Sequence, residues 1–242
     1  ATTEIYTLSL HDALPILPLV GDAKLVLQQM TELAKPMKHD EWIAHIKTLG
    51  GERKYVEPTK GTVNPRVFID RLAKKMPANV TVVADVGQNQ IWTCTEYKFR
   101  KEGRLLTSGG MGTMGYSVPA AIGAKMADNS RATVAICGDG AFQMSFMELA
   151  TAVQFGVDIK VVVMTNNRLG MVRELQTNGY HDRQTAVFLD GSPDFIKLAE
   201  AYSIPAMRVY DDDTMEKGIE MLAEHKGICL VEVVVDKDMP TL

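Results

Sequence analysis

Apolar residues recur along this chain in two rhythms. In "DAKLVLQQMTEL", Asp22–Leu33, and in "HDEWIAHIKTLG", His39–Gly50, they return every three or four positions, as the buried stripe of an α-helix requires. Asp22 is placed to cap the first helix and Gly50 to close the second. The polar stretch "GERKYVEPTKGT" that follows is broken by Gly and Pro and reads as a linker. From Asn64 onward, short apolar runs alternate with amphipathic segments. "VTVVADVG", "RLLTSGG", "ATVAIC", "IKVVVMT", "AMRVY" and "ICLVEVVV" predict strands. "PRVFIDRLAKKM", "SVPAAIGAKMA", "SFMELATAVQF", "SPDFIKLAEAY" and "TMEKGIEMLAEH" predict helices, with Pro65 in the first turn of one and Ser192 as the cap of another.

Several of the strands are runs of Val and Ile with no polar residue in alternate positions. Such strands belong to parallel sheets covered on both faces. With helices between them, the expected fold is an α/β doubly wound, mostly parallel sheet with helices on both faces. Ligands bind such sheets beyond the carboxyl ends of the strands. The expected organisation is three-part. Residues 1–17, "ATTEIYTLSLHDALPIL", resemble a translated sequencing adaptor and are set aside as non-native; residues 18–63, two helices and a linker, are expected to be the remnant of a preceding middle domain; residues 64–242 form the main, C-terminal domain.

Composition narrows the functional classes. Of 242 residues, 46% are hydrophobic and 23% charged, which suits a globular core. A net charge of −4 argues against a nucleic-acid surface. No apolar run approaches the ~18 residues of a membrane span. The three cysteines, Cys94, Cys137 and Cys229, are too scattered for a disulfide framework or zinc spacing and are expected to be reduced thiols in or near the core of a cytoplasmic protein.

The candidate chemistry sits at two strand ends. In "ICGDGAFQM", Asp139 lies between Gly138 and Gly140 straight after an apolar run; in "VVVMTNNRLG", Asn166 ends another, 27 residues after Asp139. That separation is one strand–helix–strand crossover, so neighbouring strands would deliver both side chains to one sheet edge. A carboxylate, an amide oxygen and a loop carbonyl make half of an Mg²⁺ shell, which takes six oxygens and commonly completes itself from phosphate and water. Gly138 and Gly140 let the backbone approach a phosphate closely, and Gly140 and Ala141 offer N–H groups near a helix start. Gly110, Gly112 and Gly115 also fit G-x-G-x-x-G, but no acid closes a second strand about 20 residues on, so a nicotinamide site is set aside.

Gly-Asp-Gly with an Asn 27 residues after its Asp, inside "NNRLGMV", resembles the thiamine-diphosphate motif. "DVGQNQIW", "TSGGMGTMGYSVPAAIGAK" and "GDGAFQMSFMELATAVQFGV" narrow the likeness to the catalytic large subunits of acetolactate synthases, from about Val20 to Val235. The resemblance implies that Asp139, the Asn166 side chain and the main-chain oxygen of Arg168 hold Mg²⁺, and that Gly138, Gly140 and Ala141 lie at the diphosphate. Gly87, Gln88 and Asn89 match a second loop at the diphosphate, and Gly170, Met171 and Val172 continue the cofactor lining. Met114 matches the apolar residue under the bend of the cofactor, and Gly112 the carbonyl facing its amino group. Three positions depart from the pattern. Asn89 stands where the family often has His, Thr165 where many members have Asn, and Leu175 where many carry a Trp lining the substrate channel.

The implied parent activity is a transferase reaction, the decarboxylative condensation of pyruvate with a second 2-keto acid in branched-chain amino acid biosynthesis. The implied parent is a homodimer or homotetramer with a regulatory small subunit, and FAD is expected only in the full-length protein. In the family, the glutamate near the cofactor's pyrimidine comes from a partner subunit's N-terminal domain. Nothing in residues 64–242 matches it, and the five histidines form no constellation with a nucleophile, so no catalytic acid or base is named and the chain alone is expected to be inactive. Two alternatives stay open: another thiamine-diphosphate-dependent 2-keto acid decarboxylase, oxidase or glyoxylate carboligase, and a non-catalytic cofactor-binding or dimerisation module. The long segment Arg168–Gly191 is expected to close over the cofactor as a lid.

Overall fold

A computed structural model describes residues 19–49 and 55–242. The expectations for residues 1–17 and for Gly50 as a helix stop lie outside the described residues. The chain divides into two compact units after residue 53. In the first, helices α1 (Ala23–Leu33) and α2 (Asp40–Leu49) carry no buried residue; Asp22 caps α1 by accepting from the Leu25 N–H at 3.1 Å.

The second unit holds the sheet. In chain order its elements are α3 (Pro65–Lys75), β1 (Thr81–Ala84), α4 (Gln88–Glu96), β2 (Arg104–Thr107), α5 (Ser117–Ala127), β3 (Thr133–Gly138) and α6 (Asp139–Gln143). A 3₁₀ turn at Phe146–Glu148 leads into α7 (Leu149–Gln154), then β4 (Lys160–Thr165), α8 (Gly170–Gly179), α9 (Phe195–Ala201), β5 (Ala206–Val209), α10 (Asp212–Glu224) and β6 (Cys229–Val234). The strand order is β2-β1-β3-β4-β6-β5, and every pairing is parallel. From β1 the chain goes outward to β2, then back past β1 to β3 and on to β4. Connections therefore diverge at the β1–β3 boundary, where such sheets bind ligands.

The strands lack polar alternation because both faces are covered. Val82, Val134, Ile136, Val162, Met164, Val231 and Val233 point to one side, against Phe68, Ile69 and Leu72 of α3, Trp92 of α4 and Met215, Ile219 and Leu222 of α10. Val83, Ala135, Cys137, Val161, Val163 and Leu230 point to the other, against α5, α6, α7 and α9. Burying a Val, Leu, Ile or Phe side chain is worth roughly 1.5–3 kcal/mol, so this two-sided core is what holds the strands in one sheet with their ends side by side. Residues 55–63 are stitched onto the same unit: the Val63 N–H donates to Val234 O at 2.9 Å, and Thr59 donates to Asp236.

Three expectations need correction. Gln88 and Asn89 are not in a loop but in the first turn of α4, an element the pattern of "QNQIWTCTE" did not predict. The helix expected over Ser145–Phe155 is a 3₁₀ turn followed by a shorter α7. Asp194, not Ser192, caps α9, accepting from the Ile196 and Lys197 N–H groups, while the Ser192 hydroxyl donates to Leu189 O. The three cysteines are free, as expected; Cys137 and Cys229 are buried, but Cys94 is exposed on α4.

Candidate functional site

Strands β3 and β4 are hydrogen-bonded neighbours in the register Gly138↔Met164, so Asp139 and Asn166 leave the same edge of the sheet side by side. Asp139 is 1% exposed. Its Oδ2 accepts from the Asn166 N–H at 3.1 Å and the Asn167 N–H at 2.6 Å, and its Oδ1 from the Gly140 N–H at 2.8 Å. Burial pushes its carboxyl up to about 6, against the opposing pull of the Asn167, Gly140 and Asn166 N–H groups. Turning two successive N–H groups toward one carboxylate bends the chain sharply, and Asn167 takes a left-handed φ of 53° to do it.

Asn166 is held at both ends of its amide. Its Oδ1 accepts from the Arg168 N–H at 3.1 Å, and its Nδ2 donates to Gln88 Oε1 at 3.2 Å. The Gln88 Nε2 in turn donates to Met239 O at 2.9 Å and to Thr241 Oγ1 at 3.1 Å. Thr241 also bonds Glu174 of α8 through its N–H and hydroxyl. The chain's last described residues thus strap α8 to α4. Sequence reasoning did not reach this contact: residues 151–153 positions apart in sequence, joined by one amide, leave no local pattern.

A cavity of about 100 Å³ lies over these strand ends. Gly87, Gln88 and Asn89 line it from the tip of β1, Gly138, Asp139, Gly140 and Ala141 from β3, and Asn166, Arg168, Gly170, Met171 and Val172 from β4, with Met114 alongside. Gly112 is outside this lining, exposed in the turn whose N–H it donates to Ser108 O. Val86, Trp92, Met164, Leu169 and Val235 also line the cavity and were not anticipated; apolar side chains in or beside buried strands look like core until the fold shows a gap above them.

Helices α4 and α8 both begin at this cavity, and neither has a side-chain cap; nor does the single turn α6. Elsewhere in the same unit Asn64, Asp194 and Asp211 cap α3, α9 and α10, while α5 and α7 have no side-chain cap from their own N-cap residue. Uncapped first turns leave backbone N–H groups and the positive ends of helix dipoles facing the cavity, an environment that favours an anion. Arg168 is the only lining residue with a cationic side chain, and its guanidinium turns away to Asp190 and stacks on the Phe188 ring 4.5 Å off.

The residues fit a metal-bound diphosphate. The side-chain donors are oxygens, which suits a hard divalent cation. No group of three or more His, Cys, Asp or Glu side chains that could hold a metal occurs among the described residues, so a cation here depends on ligand oxygens to complete its shell. The glycines form the cradle. A Cβ on Gly140 would lie 2.6 Å from a Leu169 methyl and 3.3 Å from Met114 Cε, and one on Gly170 would lie 1.9 Å from Gln88 Oε1.

Residues 85–233 match the family described as thiamine pyrophosphate enzyme, C-terminal TPP binding domain. The chain is 34% identical to the acetolactate synthase large subunit of Lactococcus lactis over 223 residues, covering 91% of this chain and 39% of that protein. It is 37% identical over 229 residues to the mitochondrial acetolactate synthase catalytic subunit of Saccharomyces cerevisiae, covering 92% and 33%, and 34% identical over 232 residues to the isozyme 3 large subunit of Escherichia coli, covering 91% and 40%. It therefore spans about two fifths or less of the length of these curated relatives. Among the described residues no helix is long and apolar enough to cross a membrane. With its six parallel strands presenting Asp139 and Asn166 at one edge, and a family match over most of that sheet, the chain belongs to the thiamine pyrophosphate enzymes and carries their C-terminal TPP-binding domain.

Proposed function

We propose that this chain holds thiamine diphosphate through a divalent cation, Mg²⁺, and supplies the cofactor-binding part of an acetolactate synthase that condenses pyruvate with a second 2-keto acid. The observation that carries this reading is the buried Asp139 carboxylate, beside the Asn166 amide, facing a cavity onto which two uncapped helices open. Asp139, Asn166 Oδ1 and Arg168 O would hold the cation. For Asn166 the metal would take the second lone pair of an oxygen that already accepts from the Arg168 N–H. The first turns of α4 and α8 favour the diphosphate charge, and the cradle at Gly140 and Gly170 lets it approach the backbone. The Met114 side chain, which lines the cavity with its Cε in the space a Cβ on Gly140 would approach, would exclude water from the apolar part of the cavity. When bound, thiamine diphosphate supplies the carbanion chemistry; the protein's part is to bind and orient it. We name no acid or base of this chain for the proton transfers. The homodimer or homotetramer, the regulatory small subunit and the FAD of the longer parent follow from the family resemblance, the cytoplasmic location follows from the scattered free cysteines, and all belong to this proposal.

Calorimetric titration with thiamine diphosphate, with and without Mg²⁺, tests the site. Binding is expected to need Mg²⁺ and to vanish in Asp139→Ala; equal binding by both proteins would remove the metal assignment. The isolated chain is expected to make no acetolactate from pyruvate.

A further inference from the structure

We infer that Asp85 is a positioning residue that fixes Met114 at the cofactor's ring-bearing part, so that this chain favours thiamine diphosphate over bare pyrophosphate. The inference rests on the cofactor reading above. Asp85 is the first residue beyond β1 and is fully buried. Its Oδ1 accepts from the Val86 N–H at 2.9 Å and the Gly115 N–H at 3.0 Å, and its Oδ2 from the Ser117 N–H at 2.7 Å. Ser117 opens α5, whose own cap position, Tyr116, makes no side-chain hydrogen bond. A carboxylate from a strand tip 32 residues earlier therefore takes the place of that cap. The backbone of Asp85 is itself tied down, since Asn89 Nδ2 donates to both Asp85 O and Ile136 O, across β1 and β3.

Between β2 and α5 the chain runs through a glycine-rich turn with left-handed Gly112 and Gly115. Within the turn, the Gly112 N–H donates to Ser108 O and the Thr113 N–H to Ser108 Oγ. Asp85 joins this turn to the sheet through Gly115, the residue next to Met114. Glycine at 115 is required twice over: its φ is +86°, and a Cβ there would lie 3.0 Å from Met144 Cβ. Met114 lines the cavity and its Cε faces Gly140, where Asp139 begins the metal loop. An apolar thioether adds little to a hydrated diphosphate but much to an aromatic ring packed on it. Losing the Asp85 anchor should therefore loosen the ring contact and leave the cation and diphosphate grip, which depends on Asp139 and Asn166, in place.

The test measures, for the 242-residue chain in Mg²⁺, dissociation constants for thiamine diphosphate and for inorganic pyrophosphate in wild type, Asp85→Asn, Met114→Ala and the double variant. Asp85→Asn keeps the shape but cannot accept from all three N–H groups. It is expected to weaken thiamine diphosphate by about tenfold, the scale of one hydrogen bond, while pyrophosphate stays within about twofold. Met114→Ala should show the same selective loss, and the double variant no more than the larger single loss. If Asp85→Asn weakens both ligands alike, it is only scaffold and the inference falls; unchanged affinity for both also overturns it. Should Asp85→Asn fail to fold, a Met114→Ala chain that keeps wild-type selectivity overturns the inference by itself. Wild type binding neither ligand would instead sink the cofactor reading, and the inference with it.

Discussion

The buried carboxylate at the metal loop has a measurable signature in the cation-free chain. The Asp139 carboxyl rises from an ordinary 3.8 to about 6 in the fold. At about 1.4 kcal/mol for each such step, the folded state prefers the protonated form by about 3 kcal/mol. A raised folded value means that this stabilisation is complete below about pH 4 and is lost as pH rises through 6. At pH 7.5 without a cation, the chain holds an ionised carboxylate that burial disfavours. Asp139→Asn removes the charge and keeps the shape. One of its two oxygens is lost, and with it an acceptor for the Gly140 N–H, at a cost of about 1 kcal/mol. The net expectation at pH 7.5 is a gain of about 2 kcal/mol, or about 4–8 °C in Tm for a unit of this size. At pH 4, where the wild-type group is already neutral, only the lost hydrogen bond remains and the variant should melt about 2–4 °C lower. Calorimetric melting of both proteins in a chelator from pH 4 to 8 should therefore give curves that cross. A difference that does not change with pH, or a variant less stable at pH 7.5 than at pH 4 relative to wild type, would refute the placement of a buried carboxylate without a cationic partner at this strand end.

Further expectations follow from neighbouring contacts. Gln88→Leu removes the acceptor that holds the Asn166 amide and should raise the Mg²⁺ concentration needed for cofactor binding by about 10–100-fold, as loss of a ligand's outer partner does; an unchanged Mg²⁺ titration would show that Asn166 orients itself. In α10, Gly218 packs directly on the sheet, and a Cβ there would lie 2.7 Å from a Val209 methyl and 3.2 Å from one of Val231. Because both neighbours are stiff β-branched residues, Gly218→Ala should cost about 1–3 kcal/mol, read as a lower Tm in the same melts. Residues 169–189 carry only Arg173 and Val187 as buried side chains, so their amides should exchange faster than those of β3 and β4 and slow when thiamine diphosphate and Mg²⁺ are added. Uniformly slow exchange across the segment before addition would count against a closing lid.

The Gly-Asp-Gly turn and Asn166 were legible because each follows an apolar run, and because 27 residues is enough for one helix and one strand but not for a detour. Helix α4 was not legible. Its sequence mixes polar and β-branched residues, its cap is a glycine with φ 140° rather than a side chain, and Trp92 is buried by α3 and the sheet instead of by a periodic stripe. Ser192 looked like a cap by residue type, yet Asp194 has the extended backbone that aims a side chain at the following N–H groups. A choice between two competent residues two positions apart depends on where the preceding chain enters, which no local pattern records.

The amino-acid sequence by itself determined which stretches become strands, that those strands are covered on both faces, and that an acid and an amide end two of them, because hydrophobic period and crossover length are local properties. Only the tertiary structure decided what those end groups face. It put Asp139 under three N–H groups with, among the described residues, no cationic side chain bonded to it, joined Asn166 through Gln88 to residues near the other end of the unit, and used Asp85 to cap a helix 32 residues away. Such contacts form between strand tips brought together by the sheet, and the energy that fixes them, satisfaction of backbone donors by buried carboxylates and amides, exists only once the chain around them has closed.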